Sequence, residues 1–331
     1  MSTATPTASA AVFTPQDLEN AARIKKWLKD HGEHNAWLGR KAKIPNGTLS
    51  QILSGKYISS PTKQLEIMMS VLLTEDSRRA DGTPGYVRGS LYELVATVCD
   101  RTRKHRAMGA VSGYVGVGKT SAGREYQQAR PLTLMVETNP SMTPGVLMAE
   151  LLGQLNLAVP AGLDRKFNDV VAGVQGTNFL IIVDEAERLS SLALEYLRRI
   201  RDKSAVGVVL MGSEKMTALL KREHGRFDQV RSRIVMWPKT IEGISRNDSD
   251  EIAREALAEA GDLSDDTLDA LWEYCAGSAR VLKEGFVTAI RDYDMCKPGL
   301  TGQKIDALAV KVLFMPLRAS AQKLLVQKGV K

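Results

Sequence analysis

Eight residues restrict the fold of this chain more than any others: Gly113-Tyr-Val-Gly-Val-Gly-Lys119-Thr120. The apolar run 107–112 (AMGAVS) precedes them and a segment of helical composition follows. Glycines at Gly113, Gly116 and Gly118 let successive backbone N–H groups turn inward around an anion, and a helix opening near Gly118 adds the positive end of its dipole. The pattern G-x-x-x-x-G-K-[ST] between a strand and a helix is that of a phosphate loop. Lys119 then reaches the terminal phosphates, Thr120 ligates Mg2+, and Ser121 stands beside them in the first helical turn. A chance match in a Gly-rich turn would lack the strand before and the helix after.

The rest of the region 107–237 fits that reading. Apolar runs at 107–112, 132–137, 179–183, 206–211 and 234–237 alternate with stretches of helical spacing at 145–157, 164–174 and 186–201. Continuous apolar strands separated by helices predict an α/β fold, a parallel sheet covered on both faces. The third run ends in Asp184-Glu185, about 65 residues after the phosphate loop. Acids are also favoured at any helix start. Behind a phosphate loop, the pair reads as the other half of a nucleotide site, with Asp184 in the Mg2+ shell and Glu185 as the general base that polarises water. Together the two motifs imply hydrolysis of a nucleoside triphosphate, with ATP and Mg2+ as ligands.

An acid pair at a strand end resembles the AAA+ branch of the P-loop NTPases. The resemblance implies a core with a helical lid and three further elements. A polar residue after the fourth strand matches at Ser213. An arginine finger, which reaches a neighbouring subunit's γ-phosphate, matches in Gln229-Val-Arg231-Ser232-Arg233-Ile234, with Arg233 preferred. A lid arginine on the nucleotide matches at Arg280, in Gly277-Ser-Ala-Arg280. Both arginines have an ordinary alternative, a solvated charge at a helix end. A finger at Arg233 implies an oligomer bridged by ATP.

Charge divides the chain. The net charge is +7, yet residues 64–296 carry a net −4. Residues 23–63 hold nine Lys/Arg against Asp30 and Glu33, and residues 297–331 hold seven against Asp306. Positive ends around an acidic middle point to a polyanion such as nucleic acid rather than to a merely solubilising surface. Within 36–57, Leu38, Ala42, Ile44, Leu49, Ile52 and Leu53 fall where two short helices at a steep angle would bury them. This resembles the helix-turn-helix of the lambda-repressor-like family. The resemblance turns Asn46, Thr48, Ser50 and Gln51 towards duplex DNA and assigns phosphate contacts to Arg40, Lys41, Lys43 and Lys56. Lys43 stands where that family has glycine, which forces a less comfortable backbone. With no arginine early in the second helix to grip guanine, binding is expected to be salt-sensitive and tolerant of sequence. The alternative is a small helical interaction domain with a basic face.

The boundaries that follow are a flexible tail 1–14, a helix-turn-helix domain 15–73, a linker 74–90, an ATPase core 91–240, a helical lid 241–298 and a basic segment 299–331. In that segment Lys304, Lys311, Arg318, Lys323 and Lys328 are candidates for contact with DNA or a protein partner. No apolar run approaches the ~18 residues of a membrane helix. Cys99, Cys275 and Cys296 are too few and too scattered for a disulfide scaffold and fit a reducing cytoplasm. Cys275 and Cys296 read as lid packing, His31 and His34 as surface or DNA-proximal groups rather than catalytic ones, and His224 as a residue that could sit near a subunit contact.

In size and order of parts the chain is similar, over essentially its whole length, to the phage Mu B transposition protein family. That resemblance implies ATP-driven assembly as a helical filament on duplex DNA with little sequence preference. It further implies delivery of the DNA to a DDE-type transposase, hydrolysis that disassembles the filament, and a place in the cytoplasm of a bacterial host, by its nucleoid. Two other readings stay open: an AAA+ replication initiator or helicase loader, and a DNA-binding regulator that binds ATP with little turnover. Glu185 speaks against the second.

Overall fold

The computed structural model describes residues 13–31, 33–80, 86–221, 228–295 and 299–327. His224, Cys296, Lys328 and residues 1–12 of the expected tail lie outside them. The chain divides into two compact units, residues 1–84 and 85–331.

The first unit is helical: α1 (Pro15–Asp30), α2 (Asn35–Ala42), α3 (Asn46–Leu53) and α4 (Thr62–Ala80). Thr14 opens α1 with a reciprocal cap. Its hydroxyl accepts the Asp17 N–H at 3.1 Å, and the Asp17 carboxylate accepts the Thr14 N–H at 2.9 Å. The buried Asp17 also accepts from the Thr62 hydroxyl, tying the starts of α1 and α4 together. The Thr14 N–H above all holds its carboxyl below the usual range. Ile24, Leu38, Leu49, Ile52, Leu65 and Met68 make the core. Gly39 lets α2 approach the turn that follows it, since a Cβ there would lie 2.9 Å from the Ile44 carbonyl oxygen. Lys43 caps α2 at φ +55°, the left-handed backbone anticipated for that turn. One boundary moves. Helix α4 runs on to Ala80, so the first part of the expected linker 74–90 is helix. Thr74–Ala80 contains no glycine or proline; the breakers Gly82 and Pro84 come later.

The second unit is built on α5 (Ser90–His105), β1 (Met108–Ser112), α6 (Lys119–Ala129), β2 (Thr133–Glu137), α7 (Pro144–Gln154), α8 (Leu163–Val174), β3 (Leu180–Asp184), α9 (Ser191–Ser204), β4 (Gly207–Gly212), α10 (Glu214–Lys221), α11 (Asp228–Arg231) and β5 (Ile234–Met236). The five strands are parallel in the order β2-β3-β4-β1-β5. Alternate side chains serve the two faces. Val111, Ile182, Val209 and Met211 pack with α5, α6 and the lid, whereas Ala110, Val136, Val183 and Leu210 pack with α7, α8 and α9. Helix α5 lies close on the sheet over Gly109 and Gly207, where a Cβ would lie 2.4 Å from the Thr102 hydroxyl and 2.9 Å from the Thr102 carbonyl oxygen.

The lid comprises α12 (Arg246–Ala256), α13 (Asp265–Cys275), a π-helical turn Val281–Val287 running into α14 (Thr288–Asp292), α15 (Gly302–Lys311) and α16 (Ala319–Gln327). The buried Asp248 accepts the Ser90 N–H at 2.9 Å and its hydroxyl at 2.5 Å, docking α12 on the start of α5. Cys275 is buried in this lid.

Residues 299–323 are not a free basic tail. Leu300, Ile305, Leu308 and Ala309 are buried in the lid core, because apolar residues at helical spacing outweigh the lysines between them. Lys304, Lys311 and Lys323 are exposed, but Arg318 is not available to a partner. Its side chain, 6% exposed, donates to Asp306 at 2.7 Å and lies 3.6 Å from Asp266 and 3.8 Å from Glu273. Its backbone N–H donates to the Tyr274 hydroxyl, and Ser320 just beyond donates to Glu273. Arg318→Ala strands these carboxylates and is expected to cost about 2–4 kcal/mol, between a charged hydrogen bond and a broken buried pair. Lys304→Ala and Lys311→Ala should stay within about 0.5 kcal/mol. Thermal melts of the three variants check this.

Candidate nucleotide site

The phosphate loop leaves β1 at Gly113, whose N–H donates to the Gly212 carbonyl at 3.1 Å; the next N–H, of Tyr114, donates to the Ile241 carbonyl at 2.8 Å. Gly113 is pinched: a Cβ would lie 2.9 Å from the Ile241 Cβ. Gly116 (φ +87°) and Gly118 (φ +102°) take left-handed backbone that a side chain would strain. Helix α6 starts at Lys119, so its first N–H groups point into the turn of the loop.

Lys119 Nζ donates to the carbonyls of Gly113 and Tyr114 at 2.8 and 2.9 Å. Burial pulls its pKa down, against the nearby carboxylates of Asp184, Glu187 and Glu214. The Thr120 hydroxyl donates to Asp184 Oδ2 at 2.5 Å, and the Glu185 N–H donates to Oδ1 at 2.9 Å. Asp184 nevertheless titrates above its ordinary range, since burial outweighs both bonds. Glu185 follows in the left-handed region at φ +53° and pairs with Arg188 at 3.1 Å. Ser213, just past β4, is buried and gives its N–H to Glu187 Oε1 at 3.1 Å. Arg280 donates its N–H to the Gly116 carbonyl at 3.0 Å, bringing the lid onto the loop, and its guanidinium stands 3.6 Å from Glu284.

These residues share one open cleft. Gly116, Gly118, Lys119, Thr120, Ser121, Asp184, Glu185, Ser213 and Arg280 line it; Gly113 stands behind them, at the loop's origin. Arg233 does not line it. Its Nε donates to both oxygens of Asp202 at 3.1 Å and its Nη1 to the Gln229 carbonyl at 2.8 Å. Three lining residues escaped the motif reading: Glu187, Lys283 and Glu284. Lys283 follows Arg280 at helical i+3 spacing, a signal that could have found it. Glu187 looks like any acid in a first helical turn.

The chemistry of the lining is that of a triphosphate site: a lysine and an arginine for phosphate oxygens, a hydroxyl and a carboxylate for a cation, and a further carboxylate for water. Residues 101–220 match the family described as AAA domain. Over those residues the chain carries an AAA domain. It is also similar to the Mu-like prophage FluMu DNA transposition protein B of Haemophilus influenzae, at 25% identity over 74% of this chain and 85% of that protein. The ATP-dependent target DNA activator B of Escherichia phage Mu matches at 26% identity over 52% of this chain; the match spans only 56% of the Mu protein. Among solved structures, a Walker-type ATPase of Pyrococcus abyssi aligns at TM-score 0.49 and 14% identity, over 74% of this chain and 77% of that one.

A raised Asp184 pKa means that stability of the nucleotide-free fold falls as pH rises from the ordinary carboxylate range to the raised pKa, stays reduced above it, and is unaffected only below the ordinary range. Asp184→Asn is therefore expected to stabilise the free protein at neutral pH by on the order of 1 kcal/mol while abolishing hydrolysis. Its advantage should shrink on acidification. Melting curves at several pH values, beside an ATPase assay, test both halves.

Proposed function

We propose that this ATPase binds duplex DNA with little sequence preference, assembles along it as a filament, presents it to a DDE-type transposase and disassembles as ATP is hydrolysed. The observation that carries the reading is the pairing, in one chain, of the phosphate cleft with a separate helical unit that exposes a basic turn. Arg40, Lys41, Lys43 and Lys56 are exposed there, as are Asn46, Ser50 and Gln51, with Thr48 half-buried. Relatives named as a DNA transposition protein and an ATP-dependent target DNA activator support the choice of DNA and transposase as partners. On this reading the protein works in the cytoplasm of a bacterial host, and no helix among the described residues is long and apolar enough to cross a membrane.

In the cleft, Lys119 would exchange the carbonyls of its own loop for the β- and γ-phosphates, and Arg280 would bring the lid onto the same charge. Thr120 and the desolvated Asp184 are hard oxygen ligands held together, a fit for Mg2+. Bound there, Mg2+ would neutralise charge on the terminal phosphates. Glu185 would accept the proton of the attacking water, with Ser213 ordering the same side.

The protomer's own cleft lacks Arg233, which supports a finger acting on a neighbour's nucleotide. To do so it must leave Asp202. Arg233→Ala is expected to keep ATP affinity within about threefold, to lower hydrolysis by roughly 10³-fold and to prevent assembly. Wild-type turnover in that variant would remove the finger assignment.

The decisive experiment is electron microscopy of the full chain with ATP and random-sequence duplex DNA, where filaments are expected. A lack of any ATP-dependent assembly would overturn the reading. In titrations against salt, Lys43→Ala and Lys56→Ala should each lower the slope of log affinity against log salt by about 1.

A further inference from the structure

We infer that Glu187 is a second catalytic carboxylate of the cleft, the group that holds the attacking water in place. The inference rests on the cleft being a site of ATP hydrolysis, and it concerns a residue to which neither motif gives a role.

The backbone puts it there. Glu185 takes a left-handed conformation, and the chain then makes a single 3-10 turn over Ala186–Arg188. That turn folds Glu187 back against the end of β4. Its carboxylate is pressed on Gly212, where a Cβ would stand 2.3 Å from Oε2.

Its two oxygens are used unequally. Oε1 accepts the Ser213 N–H at 3.1 Å. Oε2 is buried and has no hydrogen-bond partner among the described residues. A buried carboxylate oxygen without a donor is costly, so a donor is to be expected from outside the protein. One side can be excluded. Glu187 also borders a narrow cavity, whose other walls are alanine, leucine and methionine side chains. On the other side it lines the phosphate cleft with Lys119, Thr120, Asp184 and Ser213. Phosphate oxygens can only accept, and Thr120 and Asp184 already form the pair suited to a cation. Water arriving with the nucleotide is the donor from outside the protein that fits this place.

The division of labour follows. Glu185, half-exposed and paired with Arg188, takes the proton; Glu187 takes a hydrogen bond and no proton. Water's oxygen forms its bond to the γ-phosphorus as the bond to the bridging oxygen of ADP breaks. Ser213 and the water are then indexed to one carboxylate, which links the tip of β4 to the reacting centre.

The test is Glu187→Gln in the full chain. Glutamine keeps a carbonyl for the Ser213 N–H but puts an amide donor where the free oxygen was. Expected are a melting temperature no lower than wild type, ATPγS affinity within about threefold, and both kcat and affinity for ADP–aluminium fluoride reduced at least roughly tenfold. Unchanged kcat would show that the carboxylate only braces Ser213 and would overturn the assignment. So would equal losses of ATPγS and ADP–aluminium fluoride binding. Glu187→Asp guards against misfolding, since it keeps the charge but shortens the reach; full turnover in it overturns the assignment too. A wild type that binds ATP and turns none over would fell the ATPase reading as well, whereas an active wild type with an equally active Glu187→Gln fells this inference alone.

Discussion

The ends of three adjacent parallel strands, held level by their hydrogen-bond ladders, are what the rest of the site hangs on. Ser112 of β1 pairs with Gly212 of β4, and Val183 of β3 pairs with Leu210 of the same strand. The phosphate loop, the acid pair and Ser213 therefore leave the sheet side by side, although together they span about a hundred residues of the chain. Because side chains alternate with period two, slipping β3 by one residue would turn Asp184 away from Thr120 and exchange the two covered faces on which Leu180 and Ile182, and Ile181 and Val183, are packed. The apolar faces thus police the geometry of a polar site, the expected place for a ligand in an open parallel sheet.

That site holds charges at a cost to the free protein. Burial raises the pKa of Asp184 and lowers that of Lys119, so each charged form is disfavoured until a partner of opposite sign arrives. The spare oxygen of Glu187 belongs to the same pattern, and so does the non-glycine left-handed backbone at Glu185. Away from the cleft the opposite holds. Arg318 and Asp17 are saturated with partners, and they fasten α15 to α16 and α1 to α4. Arg233 stands between the two cases, engaged within its own protomer by Asp202 in an exposed pairing that solvent keeps weak.

Local chemistry explains what was legible beforehand. The runs read at 107–112, 132–137, 179–183, 206–211 and 234–237 are β1 to β5 to within a residue or two, because a strand buried on both faces writes its burial into consecutive residues. The strain at Lys43 was equally local, a turn position occupied by a side chain. Counting charge without periodicity misled at the C-terminus, where Ile305, Leu308 and Ala309 bury α15 whatever its lysines do. It could not separate Arg318 from the exposed lysines either, since Asp266 and Glu273 lie some 45 to 52 residues away.

By itself, then, the sequence determined the things carried by neighbours in the chain: a phosphate loop between a strand and a helix, an acid pair on a strand end, a covered parallel sheet, and a basic turn between short helices. Tertiary structure alone decided which carboxylates meet at the cleft, that Arg233 stays outside it on Asp202, and that Arg318 is a lid strut. The physical reason is the range of the forces. Backbone conformation and apolar periodicity act over a few residues and leave a local trace, whereas desolvation and ion pairing depend on distances that only the closed fold sets.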